Sequence, residues 1–187
     1  MTELMLIRHG QTTWNREGRY SGQTDIPLSE EGLRQAQQLA ERLQGQSFLA
    51  IYSSDLLRAK QTAEPIARAT GAPLYFDPRL REINQGEWEG TLFEDIRRRF
   101  LDLWQHRLQN PHIAAPPGGE TVGQVRERVL EALEEILQAH PKGRVAIVAH
   151  GLVLALILIH ARDEPLERVW DRIPANAQPQ TLHLEAP

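Results

Sequence analysis

Two short segments hold residues whose types and spacing could do chemistry together. Leu4-Met5-Leu6-Ile7-Arg8-His9-Gly10 is an apolar run ending on arginine and histidine, and Val145-Ala146-Ile147-Val148-Ala149-His150-Gly151 ends on histidine. In each, a glycine stands directly behind the histidine. Short apolar runs of this kind are the pattern of strands buried on both faces. In open α/β sheets, ligands collect at the carboxyl ends of such strands. The glycine lets the backbone turn tightly, so that the imidazole can face a ligand instead of the core. One histidine so placed is most simply a core residue. Two of the same design, one with an arginine before it, point to a site.

Metal binding and phosphate chemistry are the two rival uses. A zinc site needs three or four ligands, often in close pairs such as His-Glu-x-x-His. His9 and His150 fall on separate strands, and His106, His112, His140, His160 and His183 have no ligand-like spacing, so no metal is expected. Phosphate chemistry suits the residues better. Neutral imidazole, with a reference pKa of about 6.5, is a competent nucleophile. Arginine forks match phosphoryl oxygens and stabilise the charge spread over them in the transition state.

The elements that must position these groups follow from the remaining pattern. The chain has 187 residues, 41% of them hydrophobic, which suits one globular domain over residues 1–187. A net charge of −4 offers no basic surface for nucleic acid. The absence of cysteine excludes disulfides, thiolate metal sites and a cysteine nucleophile. The first residues show no basic leader with a long apolar stretch, so a cytoplasmic location is expected. The longest apolar run, residues 152–159, is too short for a membrane span of roughly 20 residues.

Further strands are expected at residues 49–52, 74–76 and 181–184. Helices are expected after the Ser29 N-cap, over residues 55–69 with Pro65 kinking or dividing it, over residues 96–108, and after a Thr121/Gln124 capping box. Strands alternating with helices predict an α/β domain with a largely parallel sheet.

The order of motifs resembles a known family. Residues 6–15, around Arg8-His9-Gly10, resemble the opening signature of the histidine phosphatase (phosphoglycerate mutase-like) superfamily. The resemblance continues through residues 20–29, through residues 52–63, which include Ser54, Asp55 and Arg58, and through residues 80–90, which include Glu82. It ends with Pro117-Gly118-Gly119-Glu120-Thr121 and Val148-Ala149-His150-Gly151. It implies a three-layer α/β/α sandwich and a metal-independent phosphatase without a cofactor. His9 would become a phosphohistidine, with Arg8, Arg58 and His150 around the phosphoryl oxygens. Glu82 would be the proton donor and then the base for water. Asn15, Ser21, Gly22 and Gly151 would add contacts to the substrate.

The implied partner is a small phosphorylated metabolite, acted on by a monomer or homodimer. A cofactor-dependent phosphoglycerate mutase and a non-enzymatic phosphate-binding module are the alternatives. The mutases carry a cationic clamp after the acid, whereas Ile83-Asn84-Gln85-Gly86 offers none, so net phosphate release is expected. Trp88, Phe93, Trp104 and Arg97 to Arg99 are candidates for the pocket mouth. Many relatives carry a basic residue five positions after the second histidine. Here Ala155 stands there, within a helix expected to be deeply buried or to face a partner.

Overall fold

The computed structural model describes residues 1–185, whose strands β1 (Thr2–Arg8), β2 (Ala50–Ser53), β3 (Leu74–Phe76), β4 (Gly143–Ala149) and β5 (Gln180–Leu184) form one sheet. Their order is β3-β2-β4-β1-β5, parallel except for the antiparallel edge strand β5. Alternate residues of the central strands feed two cores. Leu4, Leu6, Val145, Ile147 and Ala149 face one layer, and Met5, Ile7, Ala146 and Val148 face the other. Burial on both sides explains why these strands read as unbroken apolar runs.

The second face is covered by helices α2 (Glu30–Leu43) and α3 (Leu57–Thr70), and the first by α6 (Val122–Ala139) and α7 (Gly151–Ala161). Three smaller helices, α1 (Thr13–Glu17), α4 (Phe93–Arg99) and α5 (Leu101–Gln109), lie in the connections. The chain leaves β1 toward one layer and β4 toward the other, so the crevice between their carboxyl ends is where a doubly wound sheet binds ligands. The caps at Ser29 and at Thr121 with Gln124 form as expected.

Two helix expectations are corrected. The helix expected over residues 55–69 starts at Leu57 and is not divided by Pro65. The Leu57 N–H is capped from afar by the Asp25 carboxylate, and the buried Arg58, Ala59, Thr62, Ala63 and Ile66 hold the helix in place across the proline. The helix expected over residues 96–108 is two, α4 and α5, broken at Phe100, whose φ of −131° and ψ of 40° are not helical. The break sets the Phe100 ring near Trp88, with centroids 6.2 Å apart. No glycine or proline marks it in the sequence.

Helix α7 is enclosed. Every residue from Gly151 to Ile159 is buried, so the apolar stretch after His150 is core and not a partner surface. Among the described residues no helix is long and apolar enough to cross a membrane. Ala155 is 0% exposed, so a guanidinium there would be buried without a partner. We expect Ala155→Arg to destabilise the protein by more than about 3 kcal/mol, read as a lowered urea midpoint. An unchanged midpoint would show that position 155 is not enclosed.

Candidate active site

The parallel register pairs Arg8 with Ala149, so the next residues, His9 and His150, leave adjacent strands side by side. Their ring centroids are 5.1 Å apart at 60°, and both residues are buried. His9 is held on three sides. Its N–H donates to Ala149 O at 3.0 Å, and its carbonyl accepts from the Asn176 amide at 2.8 Å. Its ring Nδ1 lies 2.7 Å from the Gly10 carbonyl. A carbonyl can only accept, so Nδ1 carries the proton and Nε2 keeps its lone pair.

Gly10 is required for close approach: a Cβ there would lie 2.5 Å from the Gly32 carbonyl in the first turn of α2. Its N–H donates to Thr62 Oγ1 at 3.0 Å, which ties the loop after β1 to α3.

Of the four arginines that line the cavity in front of His9, Arg19 pairs with Glu17 and the other three have no carboxylate partner. Arg58, in the first turn of α3, is 0% exposed. Its Nη2 donates to Gly22 O at 2.6 Å and its Nη1 to Thr24 O at 3.0 Å, while Nε has no partner. Gly22 has φ +51°, and a Cβ there would overlap the Glu89 carboxylate. That carboxylate accepts from the Gln23 and Thr24 N–H groups and so shapes the loop that receives Arg58. Burial is the largest cause that lowers the Arg58 pKa to about 10, with Glu82, Asp25 and Glu89 opposing it. Arg8 donates from Nη1 to Pro174 O at 2.8 Å and also leaves Nε buried without a partner. The third, Arg107, lies on α5 and is 3% exposed.

Glu82 follows a 3₁₀ turn at Pro78–Leu80. One carboxylate oxygen accepts from its neighbour's N–H, at Ile83, and the other from Leu152 N at 3.4 Å in the first turn of α7. A carboxylate is favoured at that end of a helix dipole. The Glu82 carbonyl is pinned by Gln23 and Arg128 at 3.1 Å each. The neighbouring Arg81 pairs with Asp55.

His150 is fully buried, with Nε2 2.8 Å from Ser54 Oγ and Nδ1 without a partner. Both imidazoles are held below the ordinary histidine range, first by burial and then by the charges of Arg58 and, less strongly, Arg8.

Of the residues singled out in the sequence, Arg8, His9, Asn15, Ser21, Gly22, Arg58, Glu82 and Gly151 all line one cavity of about 150 Å³. His150 is not among the lining residues; its ring lies 5.1 Å from that of His9. Asn15 spends its side-chain oxygen on the Thr12 capping box, leaving its amide nitrogen for other use. Ser21 Oγ is buried without a partner. Of the suggested mouth residues, Phe93 lines the cavity, Trp88 is fully buried, and Arg97, Arg98 and Arg99 are exposed on α4. Sequence reasoning missed Arg19, Tyr20, Gln85, Arg107, Trp170 and Ile173, which also line the cavity. Tyr20 and Gln85 fall inside the motif segments without a role of their own, the other four sit in none, and Arg107 occupies an ordinary helical position. Among the described residues no group of three or more His, Cys, Asp or Glu is placed to hold a metal ion.

The arrangement combines a fixed imidazole lone pair, buried cations lacking anions, and a carboxyl group at hand. That combination is suited to accepting a phosphoryl group.

The comparisons agree with this chemistry. A family model described as "Histidine phosphatase superfamily (branch 1)" matches residues 4–186. The chain is 33% identical to "Phosphoserine phosphatase 1" of Hydrogenobacter thermophilus over 185 residues, covering 99% of this chain and 88% of that one. It is 38% identical to "Probable phosphoglycerate mutase GpmB" of Salmonella choleraesuis over 159 residues, 84% of this chain and 74% of that one. The solved structure of Bacillus stearothermophilus YhfR superposes with a TM-score of 0.88 at 38% identity, covering 99% of this chain and 92% of that one.

The buried histidines set a pH dependence. Their folded pKa values lie below the unfolded one, so on acidification the unfolded chain takes up protons before the native one does. Stability is therefore lost as pH falls below about 6.5, with a slope approaching about 1.4 kcal/mol per pH unit for each histidine. We expect His150→Gln to flatten the dependence of the urea midpoint between pH 7 and pH 5. An unchanged slope would show that His150 is not kept neutral by the fold.

Proposed function

We propose a mechanism from one premise: the chain belongs to the histidine phosphatase superfamily, branch 1. It is a phosphomonoesterase of that type, and its substrates are small phosphorylated metabolites. The observation that carries the assignment of roles is the bond from His9 Nδ1 to the Gly10 carbonyl, which leaves Nε2 as a lone pair at the wall of a cavity lined by Arg8, Arg58 and Glu82. The reading treats residues 1–187 as one domain, supported by β5, near the carboxyl end, pairing with β1.

In the first step His9 Nε2 attacks phosphorus, the P–O bond to the alcohol breaks, and Glu82 gives its proton to the departing oxygen. Arg8, Arg58 and the free Nδ1 side of His150 hold the three phosphoryl oxygens while charge redistributes among them. In the second step Glu82, now a carboxylate, takes a proton from water as its oxygen attacks the phosphohistidine. The P–N bond breaks, and inorganic phosphate and neutral His9 are regenerated. The arginines supply the positive charge that both steps need. Ser21, Gly22, Asn15 and Gly151 shape the pocket around the phosphoryl group.

Two substitutions test the roles. His9→Ala removes the nucleophile and is expected to reduce turnover to background, and brief reaction of the unaltered enzyme with labelled substrate is expected to give acid-labile, base-stable protein phosphate. Glu82→Gln is expected to lower turnover of alkyl phosphates by roughly 10²–10⁴-fold, and of an activated aryl phosphate by much less. Equal losses for both leaving groups would remove Glu82 from the proton-donor role. Activity is expected to persist in EDTA.

The relative named as a probable mutase keeps an isomerase reading in play. Retaining the phosphoryl group requires a pocket that holds a bisphosphorylated intermediate away from water. The segment from Ile83 to Gly86 offers no cation for that purpose. With 3-phosphoglycerate and catalytic 2,3-bisphosphoglycerate, we expect inorganic phosphate to form faster than 2-phosphoglycerate. The reverse order would establish the mutase.

A further inference from the structure

Arg107 has no role in the phosphoryl chemistry above, yet it lines the same cavity as His9, Arg8, Arg58 and Glu82. It is 3% exposed, and its Nε and Nη2 are buried without any hydrogen-bond partner. Its guanidinium carbon lies 5.5 Å from the centroid of the Trp88 ring and 5.4 Å from that of Trp170. Aromatic faces steady a cation but offer its N–H groups no acceptor in the plane of the fork. A buried guanidinium with idle donors is costly unless something arrives to accept from them. Trp170, which also lines the cavity, leaves its indole Nε1 unpartnered as well.

The idle nitrogens indicate what should arrive. Nε and Nη2 form one edge of the guanidinium, and elsewhere this chain uses that edge for carboxylates. Arg81 grips Asp55 through Nε and Nη2 at 2.6 Å each, and Arg128 grips Glu120 through the same pair at 3.0 Å each. Arg172 holds Glu164 in the same way. At Arg107 the edge has no carboxylate from the protein.

Charge points the same way. Arg19 is paired with Glu17 at 2.7 Å, which leaves Arg8, Arg58 and Arg107 as the cavity's three uncommitted cations among the described residues. With Glu82 carrying the proton it donates, a phosphate group of charge about −2 leaves one positive charge unbalanced.

We propose that Arg107 recognises a carboxylate on the alcohol part of the substrate, so that the enzyme acts on phosphate monoesters of small hydroxy acids or hydroxy amino acids. This rests on the phosphatase reading and names the substrate class of that site. Arg107 is a specificity residue: it reaches the part of the substrate that does not react, and the Nε–Nη2 edge with the Trp170 indole N–H receives the carboxylate.

The test compares D-3-phosphoglycerate with sn-glycerol 3-phosphate, which share a three-carbon skeleton and differ in a carboxylate against a hydroxymethyl group. We expect kcat/KM to favour the carboxylated ester by at least about tenfold. Arg107→Met is expected to bring that ratio close to one, mainly through KM, and Arg107→Lys to restore part of it by returning the charge without the fork. A ratio near one in the unaltered enzyme overturns the proposal. So does a ratio that survives in Arg107→Met, because a merely structural arginine would lower both esters together. A bisphosphate ester of the same skeleton that gains more from Arg107 than the carboxylate does would also overturn it.

A binding arm runs alongside. Calorimetry of 3-phosphonopropionate against propylphosphonate, on the unaltered protein and on Arg107→Met, reads the same preference without turnover. If no ester is hydrolysed, the phosphatase reading falls while the affinity ratio still decides the role of Arg107. If an aryl phosphate is hydrolysed but neither arm shows a carboxylate preference, only the present inference falls.

Discussion

The parallel pairing of β1 with β4 is the constraint on which the rest of the molecule depends. Register between these strands fixes Arg8 opposite Ala149, and therefore brings His9 and His150 out of the sheet together. A slip of one residue would turn one of the two imidazoles into a core layer, because side chains alternate faces along a strand. The register is itself locked by burial. Leu4 and Leu6 must meet Val145 and Ile147 in one layer while Met5 and Ile7 meet Ala146 and Val148 in the other. The same packing that stabilises the fold thus holds the histidines.

Around that fixed pair the protein keeps cations where water is scarce. Arg58 stands at the positive end of α3, where a cation opposes the helix dipole, and the carbonyls of Gly22 and Thr24 offset part of that cost. Arg8 leans on the carbonyl of Pro174. These acceptors orient the guanidinium groups but do not neutralise them, and each leaves its Nε buried without a partner. The consequence for the histidines is direct: neighbouring positive charge and burial both oppose protonation, so His9 is kept neutral, the form in which its lone pair is free. Positive charge for the phosphoryl oxygens and a neutral nucleophile beside it come from one arrangement, set before any ligand enters.

The loop bearing Glu82 shows how a flexible-looking segment is made rigid. Asn84 N donates to Glu120, Arg128 bridges Glu120 to the carbonyls of Arg79, Arg81 and Glu82, and Gln85 N donates to Glu89. Glu89 in turn fixes the Gly22 to Thr24 loop that receives Arg58. The acid and the cation it must face are therefore set by one shared carboxylate network. Glu89 thus has its carboxylate committed to backbone N–H groups.

The sequence alone determined what depends on local pattern. The short apolar runs that end in histidine and glycine read as strands covered on both faces, the Ser29 and Thr121 caps as the starts of helices, and the two histidines at strand ends as a pair. The ordered motifs then pointed to the site residues, of which Arg8, His9, Asn15, Ser21, Gly22, Arg58, Glu82 and Gly151 line one cavity and His150 packs against His9. Tertiary structure decided what depends on approach between distant segments. The capping of α3 by Asp25 and its continuation past Pro65 follow from packing that no local propensity encodes. The break at Phe100 follows from the Trp88 ring waiting for it. Arg107 is the clearest case. In the sequence it is one arginine among the many on helical segments, and its meaning comes only from the two tryptophans and the cavity wall that remove its water and give its fork no acceptor. A charged group's role is set by its surroundings in space, and those surroundings come from residues far away along the chain.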